Sequence, residues 1–378
     1  MLDKHKLIID THCEVYKLLK PWADGEFWEF ATHEIIPNSV YVFGRKQFTE
    51  NIEHIRKLCE RNDIQIVFDN AAEGSWTLTS QLEVLGIINL VLSRRILLIG
   101  GGDMGIEYPY IRYDHFISCI LDYEENLSTM QRTDEIFTKT QKPFQFLFLN
   151  GRARPHRKYI WERLNQQQLL DCVLWTMLDG RPTVSRNFNL RQDNLDLMAR
   201  PTPIQHLPPQ YEVSQYRNAK IDPVPAERAF IKHTLFDNQW GEIYLQAEPY
   251  IDTYFSLITE TVFDHEHSFR TEKIAKPLAM GHPWICAANA GFYRDMHNLG
   301  FQTFGTVIDE SFDNIVDHQQ RLERIVAVVS ELCNQNLESF LRACEPMCKY
   351  NQQHLIELAP RIRSEFPAKF FNLVAKHE

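Results

Sequence analysis

The sequence of 378 residues is notable first for what it lacks. Its eight cysteines (13, 59, 119, 172, 286, 333, 344 and 348) include no Cys-x-x-Cys pair, so neither a zinc knuckle nor a disulfide framework is signalled. Cys344 and Cys348, one helical turn apart, read as small core residues in a reducing compartment. The longest apolar stretch, Leu85 to Gly100, is interrupted by Arg94 and Arg95 and is too short to span a bilayer. Asp3, Lys4 and Lys6 precede only the short run Leu7 to Ile9, so no secretory leader is expected. A cytoplasmic protein without integral membrane association follows as the expectation. The chain carries no P-loop, no His-Glu-x-x-His and no Gly-x-Ser-x-Gly, which removes the commonest ATPase, zinc-protease and α/β-hydrolase readings. It also lacks Asp-x-Asp, the usual means of holding a nucleotide sugar through a divalent metal.

What is present suits an ordinary globular protein. Apolar residues make up 44% and charged residues 24%, enough to fill two cores and too ordered a composition for wholesale disorder. The formal charge of -10 argues against gripping nucleic acid or an anionic membrane by bulk electrostatics, although net charge says nothing of a local basic cleft.

Short apolar runs alternate with helical patterns, the signature of a parallel sheet covered by helices. Strands are expected at Lys6 to Ile9, Ile64 to Phe68 and Arg95 to Ile99, with helices at Phe48 to Asn62 and Thr79 to Ser93. A second segment starts with a strand at Phe144 to Leu149, after a polar connection from Ser128 to Lys142. Later strands are expected at Tyr254 to Ile258, Pro283 to Ala287 and Gln302 to Val307, with helices at Glu272 to Met280, Gly291 to Leu299 and Asn314 to Gln335. A terminal helix from Gln352 to His377 should break at Pro367. The expected fold is α/β with two Rossmann-type domains, 1–140 and 141–350, and a terminal helical segment, 351–378. Seven of the 18 prolines lie between Arg181 and Ala226, an excursion whose length is often functional.

Two motifs are set aside on geometry. Gly100-Gly101-Gly102-Asp103-Met104-Gly105 satisfies Gly-x-Gly-x-x-Gly, but Tyr108-Pro109-Tyr110 breaks the helix that should hold a pyrophosphate, so a Gly-rich turn between strands is preferred. Asp264-His265-Glu266-His267 offers metal-ligand types, but neighbours in an extended loop point apart, and no metal site is assigned.

Two segments of the second half carry anion-binding chemistry. Asn150-Gly-Arg-Ala-Arg-Pro-His-Arg157 sets Arg152, Arg154, His156 and Arg157 directly after a buried-type strand, with Pro155 fit to open a helix. Loops at the carboxyl ends of parallel strands form the ligand crevice, and arginine presents a planar fork suited to phosphate. A solvated basic loop is the competing reading of that segment. The other runs from Phe255-Ser-Leu-Ile-Thr-Glu260 through His265, His267 and Arg270 to Thr271-Glu272-Lys273-Ile274. Thr271 is a natural N-cap. Lys273 in the first turn opposes the helix dipole, so an anion at that helix end rationalises it. Glu272 can accept both hydroxyls of a ribose, and Lys273 can pair with a diphosphate.

Phe255 to Glu260, Thr271-Glu272-Lys273 and Gly281-x-Pro283, with Asn150 and Arg157 upstream, resemble the donor-site signature of the α1,3-fucosyltransferases and related GT-B glycosyltransferases. The likeness covers roughly residues 144 to 310. It extends to bacterial and phage glycosyltransferase-like proteins with a Thr-Glu-Lys-Ile core and a downstream Asp-Glu-Ser, here Asp309-Glu310-Ser311. The resemblance implies a GT-B fold, two Rossmann-type domains facing each other across a cleft. It implies Arg157 and Lys273 on the diphosphate, Glu272 on the ribose and Glu260 near the transferred sugar. The chain departs in a longer, His-rich loop after Glu260 and in Thr261, where the family carries Asn.

The expected reaction is an inverting, metal-independent transfer from a nucleoside-diphosphate sugar, a GDP-fucose-like donor among the candidates, with no other cofactor. Arg152, Arg154, Arg157, Arg270 and Lys273 would neutralise the leaving diphosphate beside Asn150 and Thr271. Glu73, after the strand ending near Phe68, is the candidate base, with a plain turn carboxylate as the alternative. His156 reads as a phosphate contact or a packed histidine, and Asp309 and Glu310 as ordering a loop or opening a turn. The acceptor is a glycan, a protein or a modified base in phage DNA. A non-catalytic nucleotide-binding module of the same fold is the competing class.

Overall fold

The computed structural model of the chain describes residues 6–23, 25–27, 35–74, 82–101, 110–123, 127–152, 154–179, 204–206, 245 and 247–375. Of these, 25–27, 72–74, 151–152, 177–179 and 204–206 are described as backbone. The fold is α/β, with two predominantly parallel sheets. The chain divides into two compact units: Met1–Ser118 with His267–Arg270 and Glu357–Glu378, and Cys119–Glu266 with Thr271–Ile356. No helix among the described residues is long and apolar enough to cross a membrane.

The first unit holds six parallel strands: β1 (Lys6–Asp10), β2 (Gly25–Phe27), β3 (Ser39–Gly44), β4 (Ile64–Gly74), β5 (Ile96–Gly101) and β6 (Tyr110–Arg112), in the order β2-β1-β3-β4-β5-β6. Side chains alternate faces along a strand. Ile8, Tyr41, Phe43, Ile66, Phe68, Ile96 and Leu98 therefore share one face, and it packs on Phe48, Ile55 and Leu58 of the following helices. The Phe48 ring stacks on Phe68 at 4.0 Å. Burying such a ring contributes about 1.5–3 kcal/mol. Expected and observed elements differ in three places here. The helix expected over 48–62 is two, α2 (Arg45–Glu50) and α3 (Ile52–Cys59), because Asn51 leaves helical geometry at φ -120° and ψ 27°. Gly86, at φ 65°, likewise divides the helix expected over 79–93: residues 82–84 are helical before it and Ile88–Leu92 after it, and 79–81 lie outside the described residues. The strand β3 was not among the expected elements, although Val40-Tyr41-Val42-Phe43 lies between Pro37-Asn38 and Gly44.

The second unit holds β7 (Phe144–Arg152), β8 (Val173–Asp179), β9 (Ile204–His206), β10 (Thr253–Thr259) and β11 (Trp284–Ala287), ordered β11-β10-β7-β8-β9 with only β9 antiparallel. The segment expected as a polar connection, 128–142, forms short helices that belong to this unit. Thr133 Oγ1 donates to the Met280 carbonyl at 3.0 Å, and Arg132 and Lys139 pair with Glu248 and Asp252. Contacts within the chain group these helices with the second unit, which begins at Cys119.

The strand expected at Gln302 to Val307 is not formed, because its backbone finds other partners. Asn351 bonds both the N–H and the carbonyl of Gln302 at 2.8 Å, and the N–H groups of Val307 and Ile308 turn back to the Phe304 carbonyl. The helix expected from Asn314 begins at His318. Buried Arg321 explains the delay, since its guanidinium takes the carbonyls of Ile315, Val316, Ala288 and Phe263. At the carboxyl terminus, Leu337–Ala375 is one helix and does not break at Pro367. Phe366 packs edge-on against Tyr113 at 5.2 Å and Phe371 against Trp22 at 5.8 Å, so packing holds both flanks of the proline.

At the amino edge of the second sheet, buried His282 places Nδ1 2.9 Å from Ser256 Oγ and Nε2 3.0 Å from the Thr253 carbonyl. Burial lowers its pKa from 6.5 to about 3. Between those values the unfolded chain binds a proton that the folded chain refuses, so stability falls as pH drops through the window. Each unit of pH below 6.5 should remove about 1.4 kcal/mol from this source. Urea unfolding of His282→Gln at pH 7, 5.5 and 4.5 should show a shallower pH slope than the parent, by close to one proton.

Candidate functional site

In the second unit β7 and β10 are parallel neighbours, with Phe255 opposite Phe146 and Ser256 opposite Leu147. Their carboxyl ends meet where Thr259 Oγ1 donates to Asn150 Oδ1 at 2.5 Å. Asn150 is buried, its backbone exchanges bonds with Thr176 Oγ1, and its Nδ2 has no hydrogen-bond partner among the described residues.

Arg154, in extended conformation, precedes the helix Pro155–Gln166, with Pro155 at its first position as expected. The basic run is not a solvated loop. His156, Arg157 and Lys158 are all buried in the first turn. Arg157 Nη2 donates to the carbonyls of Thr259 at 3.1 Å and Glu260 at 3.3 Å, tying this helix to the end of β10. His156 brings Nε2 to 2.9 Å from the same Glu260 carbonyl and stacks on Phe263. Burial drives its pKa well below the ordinary value, and the charges of Arg157, Arg154 and Lys273 push it further. Of its two expected roles the packed histidine describes it.

The other loop returns to this point through Glu260. Its fully buried carboxylate accepts from Thr261 N at 3.0 Å, Thr271 N at 3.1 Å and Thr271 Oγ1 at 2.7 Å. Burial raises its pKa, an effect the Lys273 ammonium opposes and Glu272 reinforces. Thr271 is the N-cap of the helix Glu272–Ala279, its hydroxyl accepting from Lys273 N at 3.3 Å. Lys273 Nζ reaches Thr271 Oγ1 at 3.1 Å, Thr261 Oγ1 at 3.3 Å and the Glu272 carboxylate. Lys273 and Glu272 retain 21% and 15% side-chain exposure, and Arg154 is half-buried, so these three can meet a ligand.

The structure thus brings together Asn150, Arg154, Arg157, Glu260, Thr271, Glu272 and Lys273. Arg270 is otherwise committed. It lies in the first unit, 1% exposed, and its Nε and Nη2 bind the Asp114 carboxylate at 2.8 and 2.6 Å. The side chains of Arg152 and Glu73 lie outside the described residues. Glu73 lies within the register shift between Asn70 and Gly74, in a β4 that runs past its expected end. Asp309 pairs with Arg324 at 2.6 Å, and Glu310 accepts from Thr303 and the Phe304 backbone; both order a loop. Among the described residues, no three His, Cys, Asp or Glu side chains gather as a metal site.

The residues missed are in the first unit, where β1 ends in buried Asp10 and β4 carries buried Asp69. Each ends an apolar run, Leu7-Ile8-Ile9-Asp10 and Ile66-Val67-Phe68-Asp69, and that pattern is the available signal. Asp69 binds the backbone N–H groups of Val15 and Ala71 at 3.1 and 3.0 Å, and burial lifts its pKa to about 7.

No protein-family model, no curated protein and no solved structure matches the chain.

Thr271→Val should cost about 1–2 kcal/mol in urea unfolding, since it removes both the N-cap acceptor and a donor to a buried carboxylate. Thr271→Ser should restore most of that loss.

Proposed function

We propose that the chain is a glycosyltransferase of the GT-B type, with the first α/β unit serving the acceptor and the second binding a nucleoside-diphosphate sugar. The observation that carries this reading is the electropositive end of the second sheet. Arg154, Arg157 and Lys273 act together on His156, beside a helix N-terminus capped by Thr271 at the carboxyl ends of β7 and β10. A diphosphate suits such a place, because the positive helix end and side-chain cations both favour its charge. Burial of Arg157 among carbonyls gives it a fixed position, and the partly exposed Arg154 and Lys273 are the groups that would touch phosphate oxygens. Glu272, beside Lys273, is placed to accept ribose hydroxyls. The unpartnered Asn150 Nδ2 adds a buried donor that an incoming oxygen would satisfy. Glu260, with three donors already on its carboxylate, positions Thr271 in this scheme.

The reaction is an inverting displacement in which the preorganised cations stabilise the departing diphosphate. The fucosyltransferase-like segments favour a GDP-linked sugar, and the acceptor is a hydroxyl of a glycan, a protein or a modified DNA base.

Calorimetric titration with GDP, UDP, CDP and ADP tests the reading directly. One diphosphate should bind clearly better than the rest, and Lys273→Ala and Arg154→Ala should each weaken it about tenfold or more, the loss of one charge-assisted contact. Absence of binding by all four would refute the proposal.

A further inference from the structure

Asn150 stands where the strand order of the second sheet reverses. In the order β11-β10-β7-β8-β9, β7 leads to β8 on one side and β10 leads to β11 on the other. Ligands of open parallel sheets bind at such a point, outside the carboxyl ends of the strands. The backbone of Asn150 is held from β8, its N–H 2.9 Å and its carbonyl 3.1 Å from Thr176 Oγ1. Its amide is held from β10, where Thr259 Oγ1 donates to Oδ1 at 2.5 Å. Nδ2, in a residue 1% exposed, has no hydrogen-bond partner among the described residues. Turning the amide by half a revolution would bring Nδ2 to Thr259 Oγ1 and leave Oδ1 open instead. One end therefore lacks a partner in either orientation, an arrangement that buried amides avoid.

A side-chain bond that merely ties β7 to β10 explains half of this geometry. The two strands are already paired at Phe146 with Phe255 and Leu147 with Ser256, and a tie uses only one end of an amide. It does not explain an open second end among cations. Thr259, itself 1% exposed, accepts from Arg157 Nη2 on its carbonyl at 3.1 Å. The carbonyl of the next residue, Glu260, lies 2.9 Å from His156 Nε2. The pKa of that imidazole is lowered by burial first and then by Arg157, Arg154 and Lys273. An oxygen-rich anion is the ligand that suits such surroundings, and an N–H can meet it where an outward Oδ1 would repel it. With Nδ2 outward, Oδ1 needs a donor of its own. The Thr259 hydroxyl is the donor in place.

We propose that Thr259 is a positioning residue, which holds the Asn150 amide so that Nδ2 donates to an oxygen of the bound diphosphate. The inference rests on the donor-site reading and adds to it a residue that touches no ligand. Thr259 then serves two groups at once, its carbonyl fixing Arg157 and its hydroxyl fixing Asn150. The ligand supplies the acceptor that Nδ2 lacks, so the orientation set by Thr259 is worth most when the diphosphate is bound.

Calorimetry on the full chain tests this, with the nucleoside diphosphate that binds best and with inorganic pyrophosphate. Thr259→Val keeps the side-chain shape and removes the hydroxyl. It should weaken both ligands about tenfold, the loss of one charge-assisted contact, and Thr259→Ser should restore the parental affinity. Asn150→Ala should weaken both ligands equally, and the double variant should bind no worse than either single one, a coupling that independent structural damage would not give. Parental affinity in Thr259→Val, or losses that add in the double variant, overturns the positioning role. Asn150→Asp keeps an acceptor for Thr259 and sets an anionic oxygen at the open end, so it should weaken both ligands more than Asn150→Ala. Should Thr259→Val not fold, parental affinity in Asn150→Asp overturns the inference. A loss for the nucleoside diphosphate but not for pyrophosphate in Asn150→Ala overturns the assignment to the diphosphate alone. A parent chain that binds none of the four nucleoside diphosphates overturns the donor-site reading and this inference with it.

Discussion

The second unit depends on one buried carboxylate. Glu260 is sealed from solvent at the end of β10, where an unsatisfied charge would cost several kcal/mol, and three donors from Thr261 and Thr271 meet it. Those donors lie ten residues apart along the chain, so satisfying the carboxylate closes the intervening loop. The closure sets Thr271 where it caps its helix, and the cap sets Lys273 beside Thr261. The main-chain oxygen of Glu260 is equally occupied, by His156 and Arg157. One residue therefore holds both loops in register, through its carboxylate on one side and its main-chain oxygen on the other. Its pKa, raised by burial and lowered by Lys273, records the same balance.

This dependence explains why the segments most legible in the sequence were those with local rules. Pro155 opening a helix, Thr271 capping one, and the runs of β7, β10 and β11 between Pro143, Gly281 and Pro283 are decided by neighbours within a few residues. The structure places each of them as read. Burial is different. Nothing in Arg-Pro-His-Arg says that His156 and Arg157 go inside while Arg154 stays half-buried, because the partners are carbonyls more than a hundred residues away. Arg270 illustrates the same limit. It stands beside the Thr-Glu-Lys motif in sequence, yet Asp114, 156 residues distant, takes its guanidinium.

Long-range satisfaction also accounts for the mistaken strand at Gln302 to Val307. Alternating apolar residues specify an extended segment without specifying who pairs with it. Asn351, from the long carboxyl-terminal helix, supplies a donor and an acceptor to Gln302 as a neighbouring strand would, and one side chain replaces a ladder. The unbroken helix through Pro367 is the converse case. A proline loses a backbone bond, and aromatic packing at Phe366 and Phe371 outweighs it.

The two sheets are built alike but end in opposite chemistry. At the carboxyl end of the first, buried Asp10 and Asp69 accept backbone N–H groups, and burial lifts the pKa of Asp69 to about 7. At the corresponding end of the second, the buried carboxylate of Glu260 is consumed internally, and the pKa of His156 is lowered by burial first and then by Arg157, Arg154 and Lys273. A net charge of -10 averages these two ends into a number that describes neither. Each unit places charged side chains of its own sign at the carboxyl ends of parallel strands, where their partners are backbone groups of the same unit.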